Sequence, residues 1–353
     1  MRPNYKQSKR NNYYSKSGKN IFLKIVIFIV LIIGVFAVFK FRQMTYNSLW
    51  NSNDRLSIVL SLKKNNNNTT NPFLKKYPSV WVVSFEPQEK KLTVLLVPDN
   101  TWVDVTHGYG SYRADAVYPL GEIEGNAGPL LKSSFAYFLG LPIDGWADGL
   151  DKVAGRNDFI GELTVQNTQK ILLAFFYDRF QGKVDANISG WDALQLFWAI
   201  RSVPENKVKV IDLAGSNVTL EDKLADGSAI LRLDPIRFDR LVSSEFTNDS
   251  IRQENFDAAV FNTTAVTGVA AKAARMMTNI GIHIVKIGQI DSKELVESKR
   301  CKIISEKDGL NSDTVKQMNL AFNCDLVEAN TDLYRAKVVL ILGEGFEKEI
   351  NSH

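Results

Sequence analysis

The residues that could do chemistry are few and widely spaced. Three acidic side chains, Asp144, Asp148 and Asp151, lie close together in the sequence, and such a cluster can bind a cation. Short acidic runs are more commonly solvated loops, which is the interpretation we favour. The three histidines and two cysteines are too far apart for a spaced zinc motif. No phosphate-binding glycine loop, dinucleotide fingerprint or nucleophile elbow follows a strand, so these enzyme classes have no motif support.

The two cysteines, Cys301 and Cys324, flank one predicted strand and helix unit. Cys301 opens the strand and Cys324 ends the helix that packs on it, so the two thiols can meet. Outside a membrane they can oxidise, and a bridge closing a loop of about two dozen residues adds on the order of 3 kcal/mol. We predict a disulfide, with two buried thiols as the alternative.

The N-terminal region predicts a membrane anchor. An apolar run over 21–39 carries Lys24 as its only charge and spans roughly 29 Å at about 1.5 Å per residue, close to the hydrocarbon thickness. More cations precede the run than follow it, which favours a cytoplasmic N-terminus. No small-residue cleavage site follows Phe39, which argues against the alternative of a cleaved signal peptide. We predict a single pass through the plasma membrane, with these segments: a basic leader at 1–20, a transmembrane helix at 21–41, a linker at 42–56 and an extracytoplasmic remainder.

The charge of the remaining chain argues against nucleic acid. Residues 1–42 hold nine of the 43 Lys and Arg and none of the 39 Asp and Glu, so the rest of the chain is net acidic although the whole is formally +4. A protein that binds the phosphate backbone concentrates positive charge on its folded part. We therefore predict no nucleic-acid partner.

Hydrophobic patterns predict a mixed α/β fold for the first part of the extracytoplasmic region. A strand at 56–62 precedes a hairpin whose arms, 79–85 and 92–98, are almost continuously apolar, which is typical of central strands covered on both faces. Trp191, Leu194 and Trp198 recur at helical spacing, and we predict that this stripe packs in the core. Helical patterns occupy 129–139, 165–180 and 189–201, and a strand follows at 207–213.

A polar stretch at 243–255 predicts a boundary, after which strands and helices alternate. This alternation indicates a small second α/β domain. Its predicted elements are a strand at 258–262, a helix at 268–279, strands at 282–287 and 301–305, a helix at 312–322 and a strand at 336–342.

Two stretches resemble a known pair of domains. Residues 91–98, with the segments 102–104, 108–110, 113–118 and 138–144, resemble the first half of the LytR-CpsA-Psr domain. Residues 260–271 and 339–345 are similar to the C-terminal domain found in LytR. The resemblance implies a LytR-CpsA-Psr-like mixed sheet flanked by helices at 57–245, and a LytR C-terminal-like domain at 256–348.

The same resemblance implies a site that has lost its chemistry. Family members transfer wall polymers from a polyprenyl-pyrophosphate carrier onto peptidoglycan, using arginines for the diphosphate and acids for magnesium. At the family's Pro-Arg-Asp motif this chain has Pro98, Asp99 and Asn100. Arg113 stands where the family has Lys, Asp115 replaces an Asn, and the arginine-bearing insert before 165 is shortened. The resemblance leaves Asp99, Arg113 and Asp115 as the candidate catalytic residues.

We therefore expect a non-catalytic binding or scaffolding component of the cell envelope, a pseudoenzyme without a cofactor. Its partners would be the membrane and a wall glycan, a lipid-linked precursor or an envelope protein. The alternative is an active phosphotransferase that uses Arg113, Arg156 or Arg179 with Asp99 or Asp115 on Mg²⁺. A regulator that signals through its basic leader is a third, weaker hypothesis. Three or more Arg or Lys side chains converging on one apolar cleft would contradict the inert interpretation.

Overall fold

The computed structural model describes residues 23–29, 31, 34, 48–62, 78–149, 164–291 and 300–346. Within the predicted span at 21–41, residues 23–29, 31 and 34 are helical, and the rest of that span lies outside the described residues. Among the described residues, no helix combines the length and the apolarity that a bilayer crossing requires. The leader at 1–20 and residues 42–47 of the linker also lie outside them. Residues from Ser48 onward belong to one compact unit.

This unit contains strands and helices in alternation. The strands are β1 (Leu56–Ser61), β2 (Val80–Glu86), β3 (Lys91–Val97), β4 (Trp102–Val105), β5 (Gly110–Arg113), β6 (Gly145–Asp148), β7 (Asp185–Ala186), β8 (Val208–Asp212), β9 (Thr219–Lys223), β10 (Ala229–Leu233), β11 (Asp257–Asn262), β12 (His283–Gln289), β13 (Cys301–Ser305), β14 (Asp325–Glu328) and β15 (Val338–Leu342). The α-helices are α1 (Val117–Ile123), α2 (Ala127–Leu139), α3 (Val165–Phe180), α4 (Gly190–Arg201), α5 (Pro235–Phe246), α6 (Asp249–Glu254), α7 (Val269–Asn279), α8 (Lys307–Leu310) and α9 (Asp313–Phe322).

The first sheet is mixed and has the strand order β7-β6-β1-β2-β3-β8. Strands β1, β2 and β3 form an antiparallel meander, while β6 and β8 add to its two sides in parallel. Every residue of β2 is buried, and so is every residue of β3 except Lys91. The predicted mixed α/β class and the predicted central hairpin are therefore confirmed.

Both faces of the first sheet are covered. On one face Ile58, Leu60 and Trp81 pack against the rings of Phe175 and Phe176 from α3 and against side chains of α4. On the other face α2 supplies residues such as Phe135, and its core continues into the second sheet. Helix α2 begins two residues before the predicted start, and it ends as predicted at Gly140, which adopts φ +63°. A glycine tolerates this left-handed backbone, which closes the helix.

The prediction that the tryptophan stripe of α4 is core is wrong. Ser189 caps this helix as expected, but its buried positions are Asp192, Ala193, Leu196 and Ile200. The stripe lies on the opposite face, where Trp198 is 60% exposed. Both faces of α4 carry apolar residues at helical spacing, and the smaller side chains face the sheet.

The second sheet has the order β12-β11-β15-β13-β14 and is also mixed. Strand β11 is parallel to β12 and β15, whereas β13 runs antiparallel to β15. Helices α7 and α9 cover one face, and a disulfide joins Cys301 at the start of β13 to Cys324 just after α9.

The polar stretch predicted as a boundary at 243–255 is largely helical. Helix α5 runs to Phe246 and α6 follows at once, with Phe246 and Ile251 both buried. One hydrophobic core extends from the first sheet through α2, α5 and α7 to the second sheet. A continuous core therefore connects the two sheets, and the cavity described next lies beside α2 and α7.

Candidate ligand-binding site

The three candidate catalytic residues lie together where β3 ends. The backbone N–H of Asp115 donates to the carbonyl of Asp99, 3.3 Å away, so the two acids are neighbours. The Asp99 carboxylate accepts a hydrogen bond from the backbone N–H of Ser79 at 2.6 Å. Asp99 thus ties the start of β2 to the end of β3.

Arg113 pairs with an acid only two residues away. Its Nε and Nη2 atoms each lie 3.2 Å from the carboxylate oxygens of Asp115. The two side chains are 45% and 32% exposed, so this is a surface ion pair. An incoming anion would have to displace Asp115 to use the guanidinium.

Two further arginines, Arg179 and Arg156, are candidates for binding phosphate. Arg179 donates to the carbonyls of Val184, Ala186 and Ile188 at 2.5–3.2 Å, which holds the chain that follows α3. Burial lowers the pKa of Arg179, and nearby acids oppose the shift. Arg156 lies outside the described residues.

The acidic cluster does not form one site. Asp144 and Asp148 stand at opposite ends of β6, about 13 Å apart along a strand. The Asp144 carboxylate accepts a hydrogen bond from the N–H of Ser57 at 2.7 Å, and burial raises its pKa. Asp151 is outside the described part of the chain, in which no group of three or more His, Cys, Asp or Glu is placed to hold a metal ion.

A cavity of about 700 Å³ opens where the β4–β5 hairpin meets α2 and α7. Its walls come from the β4–β5 hairpin, the end of α2, the end of β10, the loop before α7 and α7 itself. Aromatic and aliphatic side chains form much of the lining, including Trp102, Tyr137 and Phe138. Arg232, Lys272 and Asp104 also line it. This volume lies in the range of about 300–1,000 Å³ that small-molecule sites occupy.

Arg275, a further lining residue, holds the back of this cavity. Its Nε and Nη2 atoms donate to the Asp239 carboxylate at 2.8–3.1 Å. The same guanidinium donates to the carbonyls of Phe138 and Leu139 at 3.1 and 3.2 Å. Those carbonyls belong to the last turn of α2 and have no partner within their helix. Arg275 therefore joins α7, α5 and α2.

Two further cations line the accessible part of the cavity. Arg232 pairs with Asp222 across the β9–β10 hairpin at 2.5 Å, and its guanidinium lowers the pKa of that carboxyl. Burial lowers the pKa of Lys272, and the charge of Asp104 opposes this shift. Asp104 itself accepts a hydrogen bond from Ser111 at 2.6 Å. Two arginines are thus neutralised by their own carboxylates, and Lys272 interacts with the charge of Asp104.

Three cations do line one cleft, which is the arrangement that would contradict the inert interpretation, but Arg232 and Arg275 are already paired with Asp222 and Asp239. Arg232, Lys272 and Arg275 come from β10 and α7 and line one cavity with aromatic side chains. Sequence reasoning missed all three because they match no family motif. One signal was available: Lys272, Arg275 and Asn279 form a polar stripe at i, i+3 and i+7 on a helix that is otherwise rich in alanine and methionine.

Comparison with known proteins gives structural similarity alone. No family model matches the chain, and no curated protein matches it. Similar solved structures include TagT of Bacillus subtilis, at 15% identity and TM-score 0.38, covering 54% of this chain and 89% of TagT. A LytR-CPS2A-psr family protein, YwtF (TagT), with bound octaprenyl pyrophosphate lipid matches at 17% identity and TM-score 0.37, covering 54% of this chain and 89% of that one. A transcriptional regulator from Enterococcus faecalis matches at 11% identity and TM-score 0.41, covering 65% and 89%. At these identities and TM-scores, the similarity assigns no activity to this chain.

Proposed function

We propose that this chain is a membrane-anchored cell-envelope protein of LytR-CpsA-Psr type that binds an anionic glycan or glycan precursor without transferring it. The observation that carries the proposal is the cavity between the β4–β5 hairpin, α2 and α7. Its aromatic side chains can stack on sugar rings, while Lys272 can attract carboxylate or phosphate groups. An envelope glycan combines both features.

The contacts made by the candidate catalytic residues support a protein that does not transfer the polymer. Arg113 and Asp99 are each held in a contact within the protein, and Arg179 binds three backbone carbonyls. Transfer of a diphosphate-linked polymer needs cations that can gather charge in the transition state. A guanidinium that must first leave its own carboxylate is poorly prepared for this role.

The packing of the first sheet argues against insertion of a lipid tail beneath α3 and α4. It therefore favours ligand binding in the cavity. Trp81, Phe175 and Phe176 are fully buried between the sheet and these helices. An acyl chain could enter that layer only by displacing packed aromatic rings. Large displacements of this kind are costly in a close-packed core.

The second candidate function is a phosphotransferase, and one observation favours it. Three cations from two elements line the cavity, which is an arrangement suited to a diphosphate. Under this hypothesis Asp104, whose charge acts on Lys272, would be an acid of the site.

An assay of polymer transfer separates the two functions. The full chain in detergent is mixed with a polyprenyl-diphosphate-linked glycan, peptidoglycan and Mg²⁺. We expect no product above the level without protein, for the wild type and for Asp99→Ala and Arg113→Ala. Metal-dependent turnover that is lost in Asp99→Ala, Arg113→Ala or Lys272→Ala would overturn the proposal.

A further inference from the structure

The outer surface of α3 and α4 exposes aromatic rings that the core does not use. Tyr177, Phe180 and Trp198 are 47%, 39% and 60% exposed. Phe197 is half-buried between two of them, with ring centroids 6.1 Å from Tyr177 and 5.5 Å from Trp198. We call Tyr177, Phe180, Phe197 and Trp198 the outer aromatic patch. Contiguous exposed rings of this kind mark a surface that meets another phase or molecule.

A cation is attached to the patch. The guanidinium of Arg201 lies 5.9 Å from the centroid of the Trp198 ring, one turn further along α4. Tryptophan and tyrosine concentrate at the boundary between lipid and water, where the ring is apolar and its edge stays hydrated. Arginine can hold its charged head in water while its stem lies on the ring. The composition of the patch is therefore that of an interfacial surface.

The chain enters the compact unit beside this patch. Asp192, in the first turn of α4, accepts hydrogen bonds from the backbone N–H groups of Leu49 and Trp50 and from the hydroxyl of Ser48. Six positions separate Asp192 from Trp198, which is about 9 Å along a helix. Asp192 is fully buried, so this attachment is part of the fold.

The length of the preceding segment limits how far the patch can lie from a membrane. The predicted membrane helix ends at 41, and Ser48 is already held on α4. Seven peptide steps reach at most about 25 Å when fully extended. An anchored chain therefore keeps the start of α4 near the bilayer, and the outer aromatic patch is an exposed aromatic surface on that helix.

We propose that the outer aromatic patch rests in the headgroup region of the outer leaflet and fixes how the compact unit stands on the membrane. The inference depends on the anchoring stated under the proposed function. Aromatic insertion supplies the attraction, and Arg201 adds only about 1 kcal/mol on an anionic surface. Binding of the patch therefore depends little on lipid charge.

Tryptophan quenching by lipid tests this placement. The full chain is reconstituted in phosphatidylcholine vesicles whose acyl chains are brominated close to the headgroup, which quenches rings at that depth. Trp198→Phe should lose most of the lipid-dependent quenching, because it removes the most exposed indole of the patch while retaining an aromatic ring. Trp102→Phe, in the cavity beside α2 and α7, is the matched control and should raise the quenched fraction, because it removes an unquenched tryptophan.

The outcomes separate the two levels of the proposal. A chain that fails to float with the vesicles refutes the anchoring itself. A chain that floats but keeps its quenching in Trp198→Phe refutes the placement of the patch and leaves the anchoring intact. The latter result is also the one expected if a protein partner covers the patch.

Discussion

Arg113 and Arg275 are both paired with an aspartate, yet they belong to very different parts of the molecule. The partner of Arg113 is two residues away in the sequence, and their pair lies on the surface. The partner of Arg275 is 36 residues away, and the same guanidinium also binds the end of α2. The ion pair of Arg113 neutralises its charge locally, whereas the contacts of Arg275 hold together helices that line the cavity. This difference explains why Arg275 helps to shape the cavity, whereas Arg113 stays in a local surface pair.

We expect the largest difference in stability between variants that remove Arg275 or Arg113 singly. Arg275→Ala should lower the free energy of unfolding by about 2–3 kcal/mol, because it removes the cation paired with Asp239 and the donor to two helix-end carbonyls in a partly buried setting. Arg113→Ala, the matched control, should cost at most about 1 kcal/mol, as is usual for an exposed pair. Urea unfolding followed by circular dichroism measures both. Equal losses would remove the distinction between the two pairs.

Two glycines with similar backbone conformation test the contribution of Arg275 separately. Gly140 and Gly125 both have positive φ, but a Cβ atom on Gly140 would lie 3.0 Å from the Cζ of Arg275, whereas one on Gly125 would have no atom within 4 Å. Gly125→Ala should cost about 1 kcal/mol for the left-handed backbone alone. Gly140→Ala should cost about 1 kcal/mol more, because Arg275 must shift away from its partners. If the two thermal unfolding midpoints fall equally, the contact with Arg275 carries no energy.

A second long-range ion pair gives a pH-dependent test. Glu245 of α5 lies 2.9 Å from the ammonium of Lys91 and 2.6 Å from that of Lys209, which ties α5 to the first sheet. Burial raises the pKa of Glu245, but the hydrogen bonds from the two lysines outweigh it, and its pKa is lowered overall. Its stabilisation is therefore complete above the ordinary glutamate pKa of about 4.3 and is lost as the pH falls through the lower folded value.

The corresponding variant is Glu245→Gln. It should be less stable than the wild type by about 1 kcal/mol at pH 7, since Lys209 is half exposed and the pair is partly screened. The gap should close as the pH is lowered below about 4. Urea midpoints measured across this pH range would contradict the account if the gap stayed constant.

Local sequence patterns predicted the strands and helices that carry a clear hydrophobic or helix-end signal. The β2–β3 hairpin was found because both arms are continuously apolar, and the end of α2 because Gly140 supplies a left-handed residue. The same reasoning failed to predict which face of helix α4 is buried. Spacing identifies a stripe but not the direction it faces, and the opposite face of α4 carries Leu196 and Ile200.

The cavity could not be predicted because its residues are distant in the sequence. Trp102 and Lys272 are separated by 170 positions, and nothing near either residue indicates the other. Their proximity depends on the packing of α7 against the first half of the chain. Resemblance to a family directed attention to Asp99 and Arg113 instead, which lie at the end of β3.

The most direct test of the account is calorimetric titration of the full chain in detergent with two sugar probes. A hyaluronan tetrasaccharide is anionic, and tetra-N-acetylchitotetraose is a neutral analogue. We expect the wild type to bind the anionic probe more tightly, with Lys272→Ala weakening that binding about tenfold, or about 1.4 kcal/mol, and Arg113→Ala leaving it unchanged. An affinity that falls in Arg113→Ala but not in Lys272→Ala would place the binding surface at the end of β3 and contradict the account.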